Sequence, residues 1–161
     1  MTGLERLNVL PAQEAAALLR SCCGSAEWAR RMVERRPFQS EAAALDAADR
    51  VWKSLFPADW LEALRAHPRI GDRNARGQAA AEQAGAQNAP EAVRDALAEA
   101  NRAYEERFGY IFIVCASGKS AEEMLDLCRR RLDNDPVAEL AVSAQEQRKI
   151  TRLRMEKIFA S

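Results

Sequence analysis

The sequence predicts an all-α fold: a single domain over residues 1–161, built as a bundle of about seven or eight helices around one buried extended segment. Alanine, leucine, glutamate and arginine are the most frequent residues, and only 7 of the 161 are glycine, a composition that favours helix. Apolar residues recur at intervals of three and four through most of the chain. Only residues 110–116 have the β-branched and aromatic character of a strand.

Four helices are predicted in the first part of the chain. Three of them begin after Ser25, Ser40 and Pro57, because serine caps a helix and proline fits its first turn. The second helix ends before Pro37, since the residue before proline is disfavoured in the α conformation. The predicted segments are 11–22, 26–36, 41–55 and 58–66.

Four more helices are predicted after a polar loop. Pro90 begins one that Gly109 ends, the capping box Ser120-Ala121-Glu122-Glu123 begins the next, and Asp135-Pro136 begins the last. The apolar face of the last helix is predicted to include Val137. The predicted segments are 78–85, 90–108, 121–132 and 136–159.

Residues 110–116 are predicted as a buried extended segment outside any sheet. No other stretch has strand character, so the peptide N–H and C=O groups of this segment need partners of another kind. A bound ligand is one such partner.

Charge and hydropathy argue against several classes of function. Lysine plus arginine and aspartate plus glutamate both number 24, whereas proteins that bind nucleic acid or anionic membranes normally carry a basic excess. The basic cluster Arg129–Arg131 has acidic neighbours and is predicted to be a solvated helix face. No apolar run reaches membrane-spanning length, and the N-terminus has no signal-peptide pattern. These features predict a cytoplasmic protein with no nucleic-acid or membrane partner.

The inventory of reactive residues predicts acid–base chemistry without a metal or another cofactor. There is one histidine, no Cys-x-x-Cys spacing, no Gly-rich phosphate loop and no nucleophile elbow. A histidine with a carboxylate suffices for proton transfer, and an arginine can clamp an anionic group. The cysteines that lack this metal-binding spacing are Cys22, Cys23, Cys115 and Cys128.

His67 is the residue around which a site is most readily built. Because Pro68 follows it, His67 is predicted to project from a helix end or from the loop beyond. It can be a proton carrier at neutral pH or simply a polar residue in a turn. Glu82 and Arg154 can likewise be catalytic partners or exposed helical residues, and spacing alone leaves these alternatives open.

An ordered set of short motifs strongly resembles the 2-oxo-4-hydroxy-4-carboxy-5-ureidoimidazoline (OHCU) decarboxylase family. The resemblance extends over nearly the whole chain. The polar loop over residues 71–77 is similar to the shorter loop of the bacterial branch of that family. The motifs are Trp28, Arg36-Pro37-Phe38, His67-Pro68-Arg69-Ile70-Gly71, Glu82-Gln83, Asn101-x-x-Tyr104, Arg107-Phe108-Gly109-Tyr110-x-Phe112-Ile113, Arg131-Leu132-x-Asn134, Glu139 and Lys149-Ile150-x-x-Leu153-Arg154-Met155.

The resemblance implies a role for individual residues. His67 corresponds to the proton-transferring histidine and Glu82 to the second catalytic residue. Ala79 stands where the family usually has a serine, so the hydroxyl contact is lost unless Gln78 or a water replaces it. The substrate-binding positions are Pro68, Ala79, Gln83, Arg154 and the main chain of Phe112, Ile113, Val114, Cys115 and Ala116.

The resemblance also implies an activity: cofactor-independent decarboxylation of OHCU to (S)-allantoin in urate degradation, by a homodimer. The substrate carries its own electron sink, a ring C=N next to the carbon that bears the carboxylate. Two alternatives belong to other classes. One is a non-catalytic helical module that binds a ureide or a protein groove, and the other is an acid–base hydrolase acting on a related ring.

Overall fold

The computed structural model describes residues 1–71 and 77–161, and its regular elements are all α-helical. This confirms the predicted fold class. The described residues form ten helices, two or three more than predicted. They are α1 (Gly3–Val9), α2 (Ala12–Arg20), α3 (Ala26–Glu34), α4 (Glu41–Ser54), α5 (Pro57–Arg65), α6 (Gly77–Glu82), α7 (Ala84–Gln87), α8 (Glu91–Phe108), α9 (Ala121–Arg131) and α10 (Pro136–Ala160).

The chain divides into two compact units. The first comprises Met1–Ala63 with Gln147–Ser161, and the second comprises Leu64–Glu146. A single domain over the whole chain therefore remains a prediction. Among helices in the described part of the chain, none is long and apolar enough to cross a membrane.

The core of the first unit is built around Trp28, which is fully buried on α3. Its indole Nε1 donates to the carbonyl O of Ala48 on α4 at 3.1 Å, so the ring's only polar group is satisfied. Helix α1 was not predicted, although Thr2 and Glu5 form a capping box at its start. It packs closely at Gly3, where an added Cβ would lie 2.1 Å from the carbonyl O of Ile158.

The second unit packs α8 against α9 and buries the segment that joins them. Gly109 ends α8 in the left-handed conformation, with φ of 80°, as glycine permits at little cost. The side chains of Tyr104, Tyr110 and Phe112 then form an aromatic cluster, with Tyr104 at 5.5 Å from Phe112 between ring centroids. Residues 110–116 form no strand and lie largely inside the unit, as predicted.

Two local predictions were wrong. The helix predicted over 78–85 is two short helices, because the backbone at Gln83 leaves the α conformation with φ of −102° and ψ of 20°. Val137 is 80% exposed, since it lies in the first turn of α10, on a face that does not contact the core. The loop predicted over 71–77 lies outside the described residues except at its two ends.

Candidate active site

His67 lies just beyond the C-terminal end of α5. Its backbone N–H donates to the carbonyl O of Leu64 at 3.3 Å, which closes the last turn, and Pro68 prevents the helix from continuing. The imidazole is partly exposed. The predicted position of His67 past a helix end is therefore confirmed.

Two amide side chains fix the far end of the His67 loop. The Gly71 N–H donates to Gln83 Oε1 at 3.1 Å, and Asn101 Nδ2 donates to the carbonyl O of Ile70 at 3.1 Å. Gly71 has φ of 82°, a conformation that an L side chain adopts only with strain. The first of these bonds links the histidine loop directly to the residue that follows Glu82.

An exposed ion pair also ties this loop to α8. Arg69 Nε and Nη2 both lie 2.9 Å from carboxylate oxygens of Glu105. A cavity of about 510 Å³ is lined by this pair together with Ile70, Gly71, Ala98, Asn101 and Arg102. His67 and Glu82 do not contribute to the described lining, so the cavity volume alone does not identify the catalytic residues.

Glu82 and Gln83 end α6 and differ in their surroundings. Glu82 is partly exposed, whereas Gln83 is 5% exposed and uses its amide oxygen to hold Gly71. Within the described part of the chain, Gln83 Nε2 makes no hydrogen bond and remains able to donate to a ligand. Ala79, one turn earlier, offers only a methyl group, and its carbonyl O accepts from the Gln83 N–H at 3.1 Å.

Helix α7 directly follows Glu82 and Gln83, and it lies next to the turn that follows the extended segment. An added Cβ at Gly85 would lie only 2.3 Å from the carbonyl O of Lys119. Only glycine allows the two backbones to approach this closely. The histidine loop, the Glu82-Gln83 pair and the segment ending near Lys119 therefore meet within the second unit.

Replacing Gly85 with alanine should lower the free energy of unfolding by about 1–3 kcal/mol, because the new methyl group meets backbone that cannot turn aside. Helix propensity alone would act in the opposite direction, by up to about 1 kcal/mol. Urea denaturation followed by circular dichroism measures the difference. The control is Ala84→Gly at the neighbouring exposed position, and stabilisation by Gly85→Ala would contradict the close contact.

Charged side chains hold one edge of the extended segment, here called the anchored edge. It consists of the Ile113 C=O, the Cys115 N–H and the Cys115 C=O. Arg131 Nη1 donates to the Ile113 carbonyl at 2.6 Å, the Cys115 N–H donates to Glu146 Oε1 at 3.0 Å, and Lys119 Nζ donates to the Cys115 carbonyl at 2.8 Å. Three ionic groups thus replace the neighbouring strand of a sheet.

The opposite edge, here called the open edge, has no such partners. It comprises the N–H and C=O groups of Phe112 and Val114 and the Ala116 N–H. These groups make no hydrogen bond within residues 1–71 and 77–161, although the three residues are 1–4% exposed. An extended backbone, in which the polar groups of alternate residues face opposite edges, accounts for both edges. Buried peptide groups without partners indicate a place for a ligand.

Arg131 belongs to a buried network and not to a solvated face as predicted. It is 7% exposed, and its Nε lies 2.5 Å from Oε1 of Glu139, a residue with no exposure. Tyr104 Oη donates to the same Oε1 at 2.8 Å, and burial raises the pKa of this phenol. Only Arg129 and Arg130 of the predicted basic face are exposed. A buried carboxylate on α10 draws Arg131 inward, since neither charge is tolerated unpaired.

The network and the site are physically connected. The Arg131 guanidinium also stacks over the Phe112 ring at 4.7 Å, and its Nη2 donates to Ser143 Oγ at 3.0 Å. Glu146 and Lys119 were not identified from the sequence. One signal was present for Glu146: with Glu139 and Ser143 it forms a polar stripe at helical spacing on α10.

Arg154 lies in the first unit. Its Nη1 donates to the carbonyl O of Ser21 at 3.3 Å, and its side chain is partly exposed. Its assignment to the substrate remains a prediction, as does the role of Pro68, which is partly exposed beside His67.

Comparison with known proteins places this geometry in a family. Residues 8–156 match the family model described as OHCU decarboxylase. The chain is 40% identical over 148 residues to the uric acid degradation bifunctional protein TTL of Arabidopsis thaliana, covering 86% of this chain and 45% of that protein. It is 35% identical over 134 residues to the 2-oxo-4-hydroxy-4-carboxy-5-ureidoimidazoline decarboxylase of Amia calva, covering 77% of this chain and 75% of that protein.

Two solved structures are similar to this chain in fold. An OHCU decarboxylase crystallised in the presence of (S)-allantoin has a TM-score of 0.79 and 37% identity, covering 88% of this chain and 96% of that one. An (S)-allantoin synthase at 20% identity, with a TM-score of 0.76, shares the fold. The chain spans less than half the length of two bifunctional relatives, 45% of the Arabidopsis protein and 32% of one from Bacillus sp. (strain TB-90). From the family model and these relatives, the chain belongs to the OHCU decarboxylase family.

Proposed function

We propose that this chain is a carboxy-lyase that converts OHCU to (S)-allantoin in urate degradation. The observation that carries the proposal is the open edge: buried peptide donors and acceptors without partners in the described part of the chain, in a unit that also holds His67 and Glu82. The relatives named for OHCU decarboxylation support the same activity.

The open edge suits a ureido compound. The Val114 N–H and the Ala116 N–H can donate to carbonyl oxygens, and the Val114 C=O can accept from a ureido N–H. Gln83 Nε2 supplies one more donor near the end of α6. The resemblance assigns Pro68 a substrate contact and Arg154 the anchoring of a carbonyl or carboxylate oxygen.

The reaction then needs little beyond orientation and one proton transfer. The bond between ring carbon C4 and the carboxylate breaks, and its electron pair forms a C4=C5 double bond while the C5=N electrons move to the ring nitrogen, which takes a proton. Carbon dioxide leaves. Protonation at C5 and loss of the C4 hydroxyl proton then give allantoin. The imine is the electron sink, so the chemistry requires no pyridoxal-type or thiamine-type cofactor.

We assign the stereochemical step to His67. The imidazole of a histidine can act as a general acid and deliver a proton to one face of C5, which sets the S configuration. Glu82 orients or deprotonates the C4 hydroxyl. Because Ala79 has no hydroxyl group, the contact that the resemblance assigns to a serine at this position is lost unless a bound water replaces it.

A direct assay tests the activity. Urate oxidase and hydroxyisourate hydrolase generate OHCU freshly from urate, and circular dichroism follows the appearance of optically active allantoin. The chain should accelerate this appearance strongly over the uncatalysed decay. If allantoin binds but its formation is not accelerated, the chain is a binding module. Ring opening without release of carbon dioxide would indicate a hydrolase.

The proposal includes a homodimer, by family resemblance, and a location in the cytoplasm, as the sequence features predict. Light scattering coupled to gel filtration measures the first, and fractionation of the source cells measures the second. A strictly monomeric, fully active enzyme would contradict the dimer and leave the activity intact.

A further inference from the structure

We propose that Glu146 and Lys119 are positioning residues that set the order of hydrogen-bond donors and acceptors on the open edge. The inference rests on the proposed function, because the open edge is where that function places the polar groups of the substrate, including those of its ring. Neither residue is assigned a contact with the substrate. They act through the two peptide planes on either side of Cys115.

The geometry follows from the planarity of the peptide bond. In a trans peptide the C=O of one residue and the N–H of the next point in opposite directions. The Cys115 N–H points at Glu146, so the Val114 C=O must point away from Glu146. The Cys115 C=O points at Lys119, so the Ala116 N–H must point away from Lys119.

Arg131 fixes the preceding plane in the same way. Because it holds the Ile113 C=O, the Val114 N–H faces the open edge. The open edge therefore presents a donor, an acceptor and a donor in sequence, from Val114 N–H through Val114 C=O to Ala116 N–H. A ligand that matches this order carries an N–H between two carbonyl groups, which is the pattern of the ring imide in allantoin.

The charges make this order stable. A carboxylate that accepts from a peptide N–H and an ammonium that donates to a peptide C=O both form charge-assisted bonds, which are stronger than bonds between neutral groups. Glu146 is 8% exposed and Lys119 is partly exposed. If the plane between Val114 and Cys115 turned over, a donor would replace the central acceptor. Glu146 prevents this, because a reversed plane would present a carbonyl oxygen to its carboxylate.

The test uses Glu146→Ala and Glu146→Gln in the full chain, with Glu156→Ala as the control at an exposed position of the same helix. Glu146→Ala should raise KM about tenfold or more and change kcat by less than about threefold. Glu146→Gln keeps an acceptor oxygen for the Cys115 N–H and should restore KM to within about threefold of the parent. If Glu146→Ala fails to fold, Lys119→Met with Lys157→Met as its control removes the second anchor.

Amide NMR spectra with (S)-allantoin separate this inference from the proposed function. In the parent protein, (S)-allantoin should shift the Val114 and Ala116 amide signals, and Glu146→Ala should abolish that response. An unchanged KM or an unchanged response in Glu146→Ala overturns the positioning role while decarboxylation stands. Amide signals at Val114 and Ala116 that ignore allantoin in the parent protein also overturn it. A response that depends on Glu146, in a protein without decarboxylase activity, supports the positioning role and overturns the proposed function.

Discussion

Replacing His67 with asparagine is expected to lower kcat by about 10²- to 10⁴-fold, the usual contribution of a general acid or base. Asparagine keeps a side chain of similar reach, but it cannot take up and release a proton near neutral pH. Because His67 lies beyond the end of α5 and is partly exposed, the variant should fold like the parent. Formation of optically active allantoin measures the rate, and the thermal transition checks folding.

The control for this experiment is Arg65→Ala, at an exposed position in the last turn of α5. Its loss removes one cation near a helix C-terminus, so it should change stability by no more than about 1 kcal/mol and leave most of the activity. A His67→Asn enzyme with the parent rate would refute the assignment of His67. Comparing release of carbon dioxide with optical activity adds a second readout, since an excess of carbon dioxide over (S)-allantoin would locate the defect at C5 protonation.

Replacing Arg131 with methionine is expected to lower the free energy of unfolding by about 3–5 kcal/mol, because Glu139 would remain buried without its cation. The change also frees the Ile113 carbonyl and removes the stacking over Phe112. Activity should fall even where the variant is folded, since the plane that presents the Val114 N–H is no longer held. Urea denaturation gives the stability, and the allantoin assay gives the activity.

A double variant tests whether lost charge pairing or lost packing causes the lower stability of Arg131→Met. Arg131→Met with Glu139→Leu removes both ions and should recover part of the lost stability, because no isolated charge is left inside. The exposed neighbour Arg130→Met, which loses only its surface pair with Asp126, should cost no more than about 1 kcal/mol. Equal losses at positions 130 and 131 would contradict the buried network.

The elements predicted well are those whose ends are determined by local chemistry. The hydroxyls of Ser25, Ser40 and Ser120 accept backbone N–H groups in the first turns of α3, α4 and α9, and these short-range bonds follow from the order of residues alone. The position of His67 beyond a helix end follows in the same way from Pro68. The partners of His67 are predicted only by the family resemblance, since residue spacing does not identify them.

What could not be predicted depends on residues far apart in the chain. Arg129, Arg130 and Arg131 are locally alike, and only the carboxylate of Glu139, eight residues after Arg131, decides which one is buried. The break at Gln83 likewise accompanies a bond to Gly71, twelve residues earlier. Helix periodicity carries no information on such contacts. The same holds for Glu146, whose partner at Cys115 is 31 residues away.

The anchored edge has a consequence for the solubility of the chain. Residues 110–116 are apolar, carry no formal charge and contain no proline, the composition of segments that self-associate into cross-β aggregates. An unpaired strand edge is a template for such association. Here the ionic side chains of Arg131, Lys119 and Glu146 occupy one edge, where no second copy of the strand can pair. The contacts that order the site therefore also close one of the two edges to such pairing, and burial covers the other, so variants that lose these contacts should precipitate at lower concentration than the parent.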